Sequence, residues 1–143
     1  MIIGFSGSFG SGKTTRAQYL SEKLNQMGKD YYFINFAGNL KTMLYQHLKV
    51  SSKYFNTTEG KSEICPKYGV TYGSLLQKYG QGMRDIDPNY WIDELQNEIK
   101  DVGNTNCIIV IGDVRYQNEM DWILKKGGIV FKKLGLVGSV RCV

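Results

Sequence analysis

Histidine, cysteine and long apolar runs are scarce in this chain of 143 residues, and each scarcity closes off a class of function. His47 is the single histidine, with no nucleophile or metal ligand beside it in a stretch of helical spacing, so it reads as a surface residue without a catalytic role. Cys65, Cys107 and Cys142 are odd in number and form neither a C-x-x-C pair nor a zinc spacing. They are expected to be reduced thiols of a cytosolic protein, with Cys107 in the core. No apolar run approaches the roughly 20 residues of a membrane span, and the amino end reads as a core strand rather than a signal peptide. The net charge is +5, yet lysines and arginines are scattered rather than gathered into a stripe. That suits a protein handling phosphorylated small molecules, and nothing concentrated argues for a nucleic-acid surface, which stays open. Repeats and low-complexity segments are lacking as well. What remains is ordinary globular composition, 42% hydrophobic and 22% charged, in a length that makes one domain.

The most informative stretch is Gly7-Ser8-Phe9-Gly10-Ser11-Gly12-Lys13-Thr14, which fits the phosphate-loop pattern G-x-x-x-x-G-K-[ST]. The short apolar run Met1–Phe5 precedes it as a buried strand. A helix follows, with Ala17, Leu20, Leu24 and Met27 at helical spacing. Strand, glycine loop and helix are the context that gives the pattern its meaning. Gly7, Gly10 and Gly12 let the backbone turn tightly, so that its amides, with those of Ser11 and Thr15, form a concave anion nest at the positive end of a helix. Lys13 would reach the β- and γ-phosphates, and the Thr14 hydroxyl would ligate Mg²⁺.

Further along, Gly28 closes the first helix, Tyr31–Phe36 reads as a strand, and Asn39–Val50 as a helix with Leu40, Met43, Leu44 and Leu48 on one face. Residues 51–70 show no period and are expected to be a long functional or mobile loop. Thr71 caps another helix, and Asp87-Pro88 starts a third that runs to Val102 and stops at Gly103. Cys107–Ile111 is a central strand buried on both faces and ends in Gly112-Asp113. A helix carrying Met120, Ile123 and Leu124 follows, then a strand over Ile129–Lys133 and a tail from Gly135 that could supply an edge strand. Alternating strands and helices predict an α/β fold with a parallel, doubly wound sheet of four to five strands. In such sheets ligands sit at the carboxyl ends of the strands. The phosphate loop, the Phe36–Lys41 turn and the Asp113–Arg115 turn should therefore surround one crevice.

Several side chains carry candidate chemistry. Asp113 follows the central strand, where an acid orders Mg²⁺ in phosphate-loop proteins, and Arg115 puts a cation beside it. The plain alternative is a solvated ion pair in a turn. Arg84 reads either as a guanidinium fork for an acceptor phosphate or as a surface arginine paired with Asp85 or Asp87. Lys41 faces the same choice and leans towards the surface. Gln77 could pair with a base edge, and Trp91 could wall a nucleoside pocket or simply fill the core.

Taken together, these residues resemble the phage-type deoxynucleoside monophosphate kinases, a branch of the phosphate-loop kinases. Four blocks carry the resemblance in the right order: Gly7–Thr14; Phe36-Ala37-Gly38-Asn39-Leu40-Lys41; Leu75–Gly80 running on to Arg84, Asp87, Pro88 and Trp91; and Asp113-Val114-Arg115-Tyr116-Gln117-Asn118-Glu119. The resemblance implies a three-layer P-loop kinase fold in one domain over 1–143, with a helical acceptor-binding insertion over about 38–103. It implies ATP and Mg²⁺ as cofactors and a deoxynucleoside monophosphate as acceptor. Phe36, Lys41, Gln77, Arg84 and Trp91 would fall on the acceptor side. Lys13, Thr14, Asp113 and Arg115 would fall on the phosphate and metal side, with Arg115 also able to grip the acceptor phosphate. A cytoplasmic location follows (the host cell's, if the chain is viral), without membrane or nucleic-acid partners; a homodimer is compatible with it. Relatives usually continue past the Ile129–Leu134 strand with an arginine-bearing stretch and another helix. Here nine residues follow, with Arg141 as the one late arginine, so the adenine side is expected to be minimal, or covered by a partner chain, or that of a shortened form with weak activity. Three other readings stay open: another small-molecule kinase, a nucleotide-binding module without transfer and, weakest for want of a basic groove, a nucleic-acid end kinase.

Overall fold

The computed structural model describes residues 1–7, 13–103, 106–134 and 139–142. Along the chain run β1 (Ile2–Ser6), α1 (Lys13–Gln26), β2 (Tyr31–Ile34), α2 (Phe36–Leu48), α3 (Lys53–Asn56), α4 (Thr58–Ser62), β3 (Ile64–Cys65) and β4 (Val70–Thr71). They are followed by α5 (Tyr72–Ile86), α6 (Tyr90–Val102), β5 (Ile108–Val114), α7 (Gln117–Lys125), β6 (Ile129–Leu134) and β7 (Ser139–Cys142). Two compact units divide the chain: Met1–Phe36 with Leu95–Val143, and Ala37–Glu94.

The first unit is built on a sheet of order β2-β5-β1-β6-β7. Its first four strands are parallel, and β7 adds an antiparallel edge against β6. The strand period of two sorts its residues between two helical layers. Ile3, Phe5, Val110 and Phe33 pack with Ala17 and Leu24 of α1. On the opposite face the missing side chain of Gly4 leaves room for Ile123 of α7, beside Val114 and Val130. Helix, sheet and helix thus make the three layers expected of a P-loop kinase fold. Gly28 and Gly103 take left-handed φ values of 68° and 69°, which end α1 and α6 where the sequence places stops.

The second unit is helical, with a two-stranded hairpin of β3 and β4. Residues 51–70 are not the structureless loop that their lack of period suggested. They hold α3, α4 and β3, elements too short for a helical or strand period to show. Phe55 is fully buried there, its ring edge-on to Tyr72 at 5.4 Å, while Tyr54 stacks on Tyr72 at 4.6 Å. Burial of one such ring stabilises by about 1.5–3 kcal/mol, a large share for a unit of about 60 residues. Thr71 caps α5 as expected, its hydroxyl accepting the Ser74 N–H at 3.1 Å. Asp87 instead holds a turn through the Asn89 N–H at 3.0 Å, so α6 begins at Tyr90 rather than at Pro88.

Three tyrosines make stability sensitive to alkali. Burial, then the neighbouring Cys65, pushes the Tyr72 phenol up; burial, then Glu98, does the same for Tyr32. Tyr79 is raised first by its hydrogen bond with Tyr68 and then by burial. Each folded phenol keeps its proton above the ordinary value near 10, where the unfolded chain releases it. Their contribution is therefore complete below pH 10 and is lost as pH rises through the raised values. Urea midpoints should hold level to about pH 10 and fall beyond it, and replacing Tyr32 and Tyr72 with phenylalanine should flatten that fall.

Candidate nucleotide site of the first unit

The site is assembled from the carboxyl ends of three neighbouring parallel strands. In the sheet the connection from β1 runs one way, to β2, and that from the neighbouring β5 runs the other way, past β1 to β6, which opens a crevice at the ends of these two strands. Gly7 follows β1 there. Gly10, Ser11 and Gly12, with the side chains of Lys13 and Thr14, lie outside the described residues, as does the side chain of Arg141. The backbone of α1 is described from Lys13 onward. Its first turn carries no acidic side chain, so nothing there offsets the positive helix end that an anion would meet. Thr15 of that turn is exposed.

Two of the three expected turns are tied together by reciprocal hydrogen bonds. The Phe36 N–H donates to Asp113 Oδ1 at 2.7 Å, and the Gly112 N–H donates to Asn35 Oδ1 at 3.1 Å. A side chain at the end of each strand thus satisfies an amide at the end of the other, where the sheet ladder has run out. This explains two departures from expectation. Strand β2 stops at Ile34, and α2 starts at Phe36 instead of Asn39, because Asp113 takes the amide that a longer strand would have used. Strand β5 runs to Val114, so Asp113 lies within it rather than after it. Gly112 is required at the crossing: an added methyl would come within 2.9 Å of the Phe33 ring and 3.0 Å of Asn35 Oδ1. Phe36 is buried, with Trp122 edge-on at 6.4 Å.

Beyond Asp113 the chain wraps around a carboxylate that sequence reading passed over. Glu119 is buried, and its Oε2 accepts the N–H groups of Arg115 at 2.8 Å and Tyr116 at 3.1 Å. Arg115 is exposed, and its guanidinium meets no partner among the described residues. The spacing Tyr116-x-x-Glu119 places glutamate at the third helical position, the recognisable half of a capping box. Asn35 had a signal too: it is the polar residue directly after an apolar strand in a doubly wound sheet. Replacing Glu119 with alanine leaves two amides without an acceptor and should cost about 1–3 kcal/mol in urea unfolding. Glu119→Gln keeps an acceptor oxygen and should cost less.

The donors suit a hard cation held partly by phosphate. Among the described residues no three His, Cys, Asp or Glu side chains cluster as a ligand set. Mg²⁺ needs only one or two carboxylates beside phosphate oxygens, so Asp113 alone at the crevice is a fitting donor.

The remaining candidates belong to the second unit. Trp91 is buried, and its indole N–H donates to the Gly80 carbonyl at 3.0 Å. Arg84 folds back along the same turn, its Nη1 3.3 Å from where a Gly80 methyl would stand. Asp85 accepts from Gln81 Nε2 at 2.8 Å and Asp87 from the Asn89 N–H at 3.0 Å. Lys41 is half-buried and Gln77 exposed. His47 is exposed and lies 3.2 Å from the Tyr68 hydroxyl. No described helix is long and apolar enough to cross a membrane.

No family model and no solved structure matches the chain. A protein of Acanthamoeba polyphaga mimivirus, provisionally named deoxynucleotide monophosphate kinase, is 30% identical over 145 residues, covering 92% of this chain and 72% of the viral protein. At that identity and coverage the chain belongs to the deoxynucleotide monophosphate kinase family.

Proposed function

We propose that the chain transfers the γ-phosphoryl group of ATP to a deoxynucleoside monophosphate, releasing ADP and the deoxynucleoside diphosphate. The observation that carries this reading is the junction of Asp113 with the Phe36 amide. It fixes a carboxylate at the crevice beside the strand that leads into the phosphate loop. The named relative supports the acceptor class.

Each residue has a defined task in this reading. Backbone amides from Gly7 to Thr15 would cradle the triphosphate at the start of α1, and Lys13 would neutralise its β- and γ-oxygens. Thr14 and Asp113 would hold Mg²⁺, which supplies charge neutralisation at the bridging oxygens. Arg115 offers an exposed fork for the transferred or the acceptor phosphate, and Arg84 one for the acceptor. Phe36, Lys41, Gln77 and Trp91 complete the acceptor side. Phosphoryl transfer asks little acid–base chemistry of the protein, since positioning and charge do most of the work.

The test is a screen with γ-labelled ATP, the four deoxynucleoside monophosphates and a set of phosphorylated metabolites. Label should pass to at least one deoxynucleotide in preference to every metabolite. ATP binding without label transfer to any of the four would overturn the reading.

A further inference from the structure

The second unit carries an open cleft of about 560 Å³ between α2 and α6, and of its lining residues Trp91 alone has been given a role so far. Asn39, Thr42 and Gln46 line it from α2, at the spacing of one helical face, while Tyr90, Trp91 and Glu94 line it from α6. The volume falls within the range of small-molecule sites, roughly 300–1,000 Å³. One side is aromatic: Tyr90 stands edge-on to Trp91, with ring centres 4.8 Å apart. The rest, Met43 apart, is hydrogen-bonding. Asn39, Gln46 and Glu94 make no side-chain bond to any described residue. Glu94 is half-buried, and no cation among the described residues pairs with it. His47, also on the rim, lies within hydrogen-bond distance of Tyr68.

A half-buried carboxylate beside a flat aromatic surface selects for a planar ring that presents two adjacent donors. Guanine offers them, its ring N1–H next to its exocyclic N2 amino group. Adenine and cytosine each set one amino group beside a ring acceptor. Thymine places a single N–H between two carbonyl oxygens, which a carboxylate repels. Trp91 also ties this surface to the turn that carries Arg84: its indole N–H binds the Gly80 carbonyl, and Arg84 Nη1 lies 3.3 Å from where a Gly80 methyl would stand. We propose that the α2–α6 cleft is the base subsite of the acceptor and that Glu94, reading the paired donors of guanine, makes dGMP the favoured and dTMP the disfavoured substrate.

This inference rests on the kinase reading above, and the experiment separates the two. Wild type and Glu94→Gln are compared for kcat/KM on all four deoxynucleoside monophosphates, and dGMP and dTMP binding to the wild type is measured by calorimetry. Wild type should favour dGMP in both measurements. Glu94→Gln, nearly equal in shape, should lower the dGMP-to-dTMP ratio of kcat/KM by about 10- to 100-fold. An unchanged ratio, or wild-type binding of dTMP as tight as dGMP, overturns the subsite. Tight and selective dGMP binding with no transfer to any acceptor upholds the subsite and overturns the kinase reading instead.

Discussion

Lys13→Ala is expected to slow phosphoryl transfer by about 10²–10³-fold while leaving the fold intact. The ammonium would stand at the mouth of α1, where the helix contributes partial positive charge but no mobile donor. Backbone amides can bind the ground-state triphosphate almost as well without it. What they lack is a full charge able to follow the γ-phosphoryl as it moves towards the acceptor. The loss should therefore appear mainly in kcat, and the apparent KM for ATP should rise less. Lys13→Arg should not restore the rate, because a planar fork cannot occupy the space of a compact ammonium. Coupled ADP release with each deoxynucleotide, alongside thermal unfolding of both variants, makes the measurement. Equal rates for wild type and Lys13→Ala would remove the phosphate loop from the mechanism.

Gly60→Ala should be the most damaging single methyl in the second unit. The Gly60 amide donates to Thr57 Oγ1 at 3.0 Å, which draws the turn of α4 tightly against α3. A Cβ at this position would overlap the Lys53 carbonyl oxygen and lie 2.7 Å from Tyr54 Cα and 2.8 Å from Thr57 Oγ1. Two of these obstacles are backbone and cannot rotate away. Relief requires α4 to retreat, which would pull at Phe55 and at Tyr54 and Tyr72, the aromatic centre of the unit. A cost of about 3 kcal/mol is expected, lowering the melting midpoint by about 10 °C. Gly82, where an added methyl meets nothing within 4 Å, is the control, and Gly82→Ala should stay within about 1 kcal/mol of wild type. If Gly60→Ala melts with the Gly82 variant, the turn is looser than its hydrogen bond indicates.

Much of this architecture was legible in the residues, and the exceptions have physical causes. The strand over Cys107–Ile111 announced itself by β-branched apolar residues, and the helices from Thr71 and around Ile123 by their period and caps. The extent of β5 was not readable, because Gly112 and Asp113 carry no strand propensity. They stay in the strand because pairing with β1 shifts register at this point and resumes at Ser6 and Val114, and because Asn35 takes the Gly112 amide. The start of α2 was hidden for the same reason: Phe36 looks like strand, and a residue 77 positions away decides otherwise. Residues 51–70 defeated period counting because helices of four and five residues complete scarcely one turn. In the site, Asp113 and Arg115 stood out by their type and place. Asn35 and Glu119 did not, since their partners are backbone amides, which every residue possesses and which no side-chain pattern reveals.

Among the described side chains, each compact unit also encloses one sulfhydryl that can serve as its own clock. Cys65 sits at 2% exposure among the aromatic residues of the second unit, and Cys107 at 7% beside the sheet of the first. A disulfide reagent can reach either only when its surroundings open. With Cys142 changed to serine, two labelling rates read from one sample would report how often each half of the molecule loosens, and whether a bound nucleotide quiets one, the other or both.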